Sequence, residues 1–443
     1  MQLPKQINYQ RKSDLPRGTS CLSAIISPSN GAVFSDSQLI QFQLPTRGYL
    51  VPESIYLRYK TSYFNGGTAY TASQQRGSFP AFSPFQRLET VVGAATVESI
   101  SNYGQMCQML LTCKMNYAQK IGLAYALGIE QGADLNSSNA NSRTIAAAGA
   151  VNAVGDSWTS AIPLNCLFAN CENLVPLKFM PTSVIQLYTD TLTNIMYSSG
   201  ATAPSKYELS NLELCFDIID FNEETDMIVK SMVSPDGMLT IKSQSYLSSG
   251  QTTAAISAGS LEFIYSMRLA SIKSLFLILA GTHANSVNKN FDSIDITTSG
   301  NTNTITSTGG AYQFFISSTP YPSRNLSTVL NRAGILAELG AAVGSSAQDI
   351  SQYNFSIQPV EFKYGNTCTT TISQPSKFFV GVNTERLLTN SSLLTGVSSQ
   401  NSPISVRIDI NTATTNSQVL NLVANFDAIL EIDVANRQCR VLV

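Results

Sequence analysis

The chain has 443 residues and a formal net charge of −2, with 43% apolar and only 13% charged residues, against roughly 25% charged in soluble proteins. It is longer than one ordinary domain of about 100–200 residues, which points to two; the apolar share excludes a disordered chain, and the near-neutral balance excludes a basic field over the whole molecule of the kind that holds nucleic acid. The strongest apolar run, Leu275–Ala280, is far too short to span a membrane as a helix, and the first residues lack the apolar core of a secretory signal.

Along the chain, Lys5, Arg11, Lys12 and Arg17 against Asp14, with Pro4, Pro16 and Gly18, form a basic arm over residues 1–20 that has no fold of its own. A strand is predicted over 37–44. Ile55, Leu57 and Tyr59 then alternate with Tyr56, Arg58 and Lys60, the signature of a strand with one buried face. Another strand is predicted over 84–92. Ile100, Tyr103, Cys107, Leu110 and Leu111 follow at helical spacing, with Ser99 placed to cap. Trp158, Ile162, Leu164, Cys166 and Phe168 share one parity, and Pro163 assigns that strand to an edge or a bulge. Strands over 183–190 and 208–218 lead to a turn-rich acidic junction near 217–236.

Beyond the junction, strands are predicted over 258–268, 271–280 and 311–318. A second helical stripe is Leu326, Val329, Ala333, Leu336 and Leu339, with Asn325 before it and Gly340 as its stop. Further strands fall over 376–384, at Val406, Ile408 and Ile410, over 418–424, at Leu430, Ile432 and Val434, and over 437–443. The polar segments 64–83, 131–156, 248–257, 284–309 and 389–403 read as surface loops. Strands this dense, joined by polar loops, indicate β-sandwiches or barrels. Each helix follows a strand and the two halves match in length, so the chain reads as a duplication of about 210 residues per unit, with units at 21–222 and 223–443.

Catalytic chemistry finds little to work with. His283 is the single histidine, which excludes multi-histidine zinc sites, and neither Gly-x-Ser-x-Gly, Walker A nor Gly-x-Gly-x-x-Gly occurs. Cys107 and Cys113 are six apart, and Cys166 and Cys171 form a pair with no second pair nearby, so the cysteines read as buried thiols. Asp217, Asp220, Glu223, Glu224 and Asp226 cluster without the spacing of an EF-hand; they read as a solvated junction, with a hard cation or a subunit contact as the alternative. No catalytic, cofactor-binding or metal-ligating residue is assigned, and the chain reads as a non-enzyme.

The two tandem β-rich units, each with a helix after a mid-unit strand, resemble the double jelly-roll major capsid proteins of the tectivirus and adenovirus lineage. Local likeness lies in Leu261–Phe276, in Tyr312–Arg324 leading to Ile335–Leu339, and in Phe426–Arg440. These segments are similar to second-unit sequences of virophage, Polinton-like and adintovirus-type capsid proteins. The resemblance implies an all-β fold of two tandem upright jelly-roll β-sandwiches with short inserted helices and long polar loops. It implies homotrimeric, pseudo-hexagonal capsomers that tile an icosahedral shell around double-stranded DNA, assembled inside the host cell without a signal peptide. Partners would be other copies, penton and minor capsid proteins, with the basic arm near genome or internal membrane. A receptor-binding spike or fibre protein and a β-sandwich carbohydrate-active enzyme remain the rival classes.

Overall fold

The structure, a computed structural model, describes residues 19–64, 73–75, 79–115, 119, 122–128, 143–145, 154–198, 204–233, 237–253, 259–281, 296–299, 302–305, 310–327, 332–344, 379–385, 394–410 and 418–442. The first half contributes β1 (Ser20–Ile26), β2 (Val33–Phe34), β3 (Leu39–Gln43), β4 (Tyr49–Leu50), β5 (Tyr56–Phe64), β6 (Ser73–Gln75), β7 (Phe85–Val92), β8 (Ala95–Ser101), α1 (Tyr103–Lys114), β9 (Arg143–Ile145), β10 (Val154–Pro163), β11 (Ser183–Thr189), α2 (Leu192–Ile195), β12 (Met196–Ser198) and β13 (Lys206–Asp220). Helix α3 (Glu223–Ser231) leads into the second half. There follow β14 (Met238–Thr253), β15 (Gly259–Tyr265), β16 (Ile272–Gly281), β17 (Ile296–Ser299), β18 (Thr302–Ile305), β19 (Ala311–Ile316), β20 (Thr319–Ser327), α4 (Arg332–Ala342), β21 (Phe379–Asn383), β22 (Ile404–Ile410), β23 (Gln418–Asp433) and β24 (Gln438–Leu442).

The duplication is written in the sheet topology. The first half pairs its strands in the order β1-β13-β5-β10 and β3-β11-β7-β8; the second repeats both orders as β14-β23-β16-β21 and β15-β22-β19-β20. Thus β14 corresponds to β1, β23 to β13 and β20 to β8. Each main helix follows the edge strand of its second sheet, α1 after β8 and α4 after β20. Among the described residues every strand pairing is antiparallel, and β14 runs beside β23 without a slip from Met238 opposite Asp433 to Thr253 opposite Gln418, a ribbon about 50 Å long at the usual strand rise.

Period-2 alternation drives the layering. Leu57 and Tyr59 are buried while Tyr56 and Arg58 are exposed, and Leu57 lies opposite Leu214 across the ladder. On the outer side of the same pair, Arg58 bonds Glu213 at 2.5 Å, a cross-strand contact of the kind that fixes register. Ile40, Phe42, Leu88, Ile185 and Leu187 complete the first core; Leu275, Leu277, Leu420, Leu422, Phe314, Val406 and Ile408 build the second. As Pro163 requires, β10 is an edge strand and Pro163 is its last residue.

Both helices differ from the expected spans. Ile100 belongs to β8, and Ser99 donates to the Glu89 carboxylate at 3.2 Å instead of capping. Helix α1 starts after Asn102, which holds φ at 52°, a left-handed conformation that asparagine tolerates better than most residues. Leu326 lies in β20, and Asn325 donates to Asp409 at 3.1 Å; Val329 lies outside the described residues. Gly340 sits within α4, and the left-handed residue after the helix is Gly344 at φ 90°. The segment 248–253, expected as loop, is the end of β14, and Thr395 and Ser399 of the expected 389–403 loop are buried.

Candidate functional site

Where the halves meet, β14 lies along the open side of the first sandwich, against β8 and the turn after β10. The middle of its seam row is polar, Ser243 and Ser245 standing between Ile241 and Leu247. The Ser245 hydroxyl donates to Glu98 at 2.5 Å, and the Ser243 hydroxyl donates to the Leu167 carbonyl at 2.7 Å. Glu98, 6% exposed, also accepts from the Leu167 amide and the Thr90 hydroxyl, both at 2.8 Å. Burial holds its carboxyl above the ordinary range, while the Ser245, Leu167 and Thr90 donors pull the other way. Alongside, the Glu172 amide donates to the Lys242 carbonyl at 3.0 Å, and the Lys242 ammonium stands 3.6 Å from the Glu172 carboxylate.

A second cluster closes the seam at α1. The Asn421 amide of β23 donates to Gln105 at 2.6 Å, and the Asn102 amide donates to Asn421 at 3.3 Å. The helix is seated by close backbone approach: a Cβ on Gly104 would lie 2.2 Å from the Phe82 carbonyl oxygen and 2.8 Å from that of Phe85. None of these contacts resembles a reaction centre. The contacts of Ser243, Ser245, Lys242 and Asn421 are hydrogen bonds between the two units, and they fix how the units sit.

Inside the second unit, Asp427 plays a comparable tethering part. It is fully buried and accepts from the Ser271 hydroxyl at 2.6 Å and the Thr395 amide at 2.7 Å. The Lys273 ammonium stands 3.9 Å from its other oxygen and 3.5 Å from Glu385. This network ties segment 394–399 to β16 and β23. Gly396 packs on the same backbone, where a Cβ would lie 2.1 Å from the Ile272 carbonyl oxygen.

The acidic junction is dispersed. Asp217 and Asp220 end β13, whereas Glu223, Glu224 and Asp226 occupy the first turn of α3, where carboxylates favour the helix dipole and the Asn222 side chain caps by accepting from the Thr225 amide at 3.0 Å. Asp217 accepts from the Ser23 hydroxyl, and Asp226 takes the Tyr49 phenol and Lys178. Among the described residues, no group of three His, Cys, Asp or Glu side chains is placed to hold a metal ion. Cys107, Cys113, Cys166, Cys171 and Cys215 are buried, and desolvation pushes the Cys107 and Cys171 thiols up to about 12, far from a nucleophile's range. His283 and the arm cations Lys5, Arg11, Lys12 and Arg17 lie outside the described residues. Among the described residues, no helix is long and apolar enough to cross a membrane.

No family model matches the chain, and no curated protein matches it. Among solved structures, the Faustovirus major capsid protein superposes with a TM-score of 0.63 at 11% identity, covering 96% of this chain and 92% of that one. The PBCV-1 virus capsid gives 0.60 at 11%, covering 98% and 99%, and the mavirus major capsid protein gives 0.52 at 10%, covering 100% and 95%. At this identity the likeness is one of fold: the chain is all-β and has the double jelly-roll architecture over nearly its whole length.

Proposed function

We propose that this protein is a major capsid protein, whose work is assembly and not turnover. Three copies form a pseudo-hexagonal capsomer, and capsomers tile an icosahedral shell around a double-stranded DNA genome. The units are 21–222 and 223–443, standing upright in the shell wall, with the basic arm over 1–20 beneath it near genome or internal membrane. Further copies, penton and minor capsid proteins are its partners; the virion capsid, assembled inside the host cell, is its place.

The observation that carries this reading is the whole-length likeness to capsid proteins, joined to a strand order repeated twice within the chain. Low surface charge supports it, since hydroxyl and amide surfaces are buried against neighbours at lower cost than unpaired ions. So does the hydrogen-bonded seam, which joins the two sandwiches. Many weak contacts between such blocks add through multivalency. Negative-stain images of the purified protein test it: six-cornered particles or shell fragments are expected, and a field of compact single molecules across salt and pH contradicts it.

A further inference from the structure

We propose that the outer face of α3, the helix joining the two units, is covered by the chain's own basic arm, residues 1–18, folded back along it. The inner side of α3 is fastened to the first unit: the Tyr49 phenol donates to Asp226 at 3.0 Å, Thr225 is half-buried at the cap, and Val229 packs against the core. Its outer side is unlike the polar face that a surface helix presents to water. Met227, Ile228 and Met232 are 68%, 53% and 67% exposed. Ile228 and Met232 are one turn apart on the same face, and Glu224 stands one turn before Ile228. The exposed face is thus an apolar stripe with carboxylates, Glu223 and Glu224, at its head.

Connectivity, composition and charge name the occupant. Strand β1 begins at Ser20, which lies opposite Asp220 across the ladder, and α3 starts just beyond at Glu223, so the arm leaves the sandwich beside the helix. At the usual helical rise α3 is about 14 Å long, a distance that residues 1–18 can cover several times over when extended. The arm carries Leu3, Ile7 and Leu15 to meet the stripe, and four basic residues against one acidic to meet Glu223 and Glu224. Being tethered next to the helix, it needs only weak contacts to stay docked. The same carboxylates disfavour a lipid surface, whose anionic headgroups repel them. This inference goes beyond the capsid reading and does not depend on it.

Trypsin tests this contact, because a docked segment is cut only in the fraction of time that it is released. In the full-length protein, cleavage after Arg11 or Lys12 should be about tenfold faster in Ile228→Glu than in wild type, with the thermal midpoint unchanged because the replaced side chain is exposed. If Ile228→Glu fails to fold, Met232→Glu alters the same stripe and should speed cleavage likewise. A carbodiimide should join Lys5 or Lys12 to Glu223 or Glu224 within a single chain of 47.8 kDa. A wild-type arm cut as fast as the variant's overturns the proposal. So does a cross-link found only between chains, which gives the stripe to another copy's arm. An unchanged cleavage rate in a variant that no longer floats with phosphatidylserine vesicles also overturns it and gives the stripe to lipid. None of these outcomes bears on the capsid reading.

Discussion

Strands β1 and β14 hold the same place in their sandwiches yet carry opposite surfaces. On β14, Ser243 and Ser245 share a row with Ile241 and Leu247 and hydrogen-bond to the Leu167 carbonyl and to Glu98; β1 leaves Leu22 and Ile25, on opposite faces of the strand, to solvent. The two units are tethered, so β14 meets its partner at high effective concentration and the seam can be polar, with hydrogen bonds setting its geometry.

Four substitutions sharpen this contrast between tethering inside a unit and tethering across units. Asp427→Ala takes the acceptor from the Ser271 hydroxyl and from the buried Thr395 amide and hydroxyl within the second unit, and is expected to lower stability by about 3–5 kcal/mol, read as a fall in the denaturant midpoint. Glu98→Ala removes the acceptor shared by both units and should cost about 3 kcal/mol. Its signature is different: calorimetry should resolve two transitions where the wild type shows one. Gly104→Ala should destabilise by about 2 kcal/mol as its Cβ drives α1 away from Phe82, although helix propensity alone predicts a gain of about 1 kcal/mol; thermal melts decide the sign. Asn421→Ala, which loses the hydrogen bonds to Asn102 and Gln105, should cost only about 1 kcal/mol.

Glu98 also makes the seam sensitive to pH. Because burial raises its carboxyl in the folded state, native protein holds the proton at pH values where the unfolded chain has released it. Stability from this group is complete below the ordinary carboxyl range and is lost as pH rises through the raised value. Glu98→Gln should therefore flatten the decline in denaturant midpoint as pH rises above the ordinary carboxyl range, relative to wild type. An unchanged slope would place the titration elsewhere.

What the sequence made legible, and what it hid, divides along the same line. Strands whose inner row is apolar were readable: Leu57 and Tyr59, Val406 and Ile408, Leu430 and Ile432 all alternate and are all buried. The seam was not. Ser243, Ser245, Glu98 and Asn421 are residues that normally face water, and nothing in their spacing tells a buried hydrogen-bonded row from a surface one. β14 was missed for this reason, and β8 was missed because Glu98 interrupts its apolar pattern and Ile100 also fits the helical period that follows. In the same way Leu326 completed a helical stripe while sitting in β20. Core periodicity identifies the sandwiches; the surface that joins them is visible only once both are folded.

The most direct test of the assembly claim is the native mass of the purified protein by light scattering. A species near 143 kDa, three times the chain mass of 47.8 kDa, is expected and should persist across salt and moderate pH. A stable species at the mass of one chain under all of those conditions would contradict it.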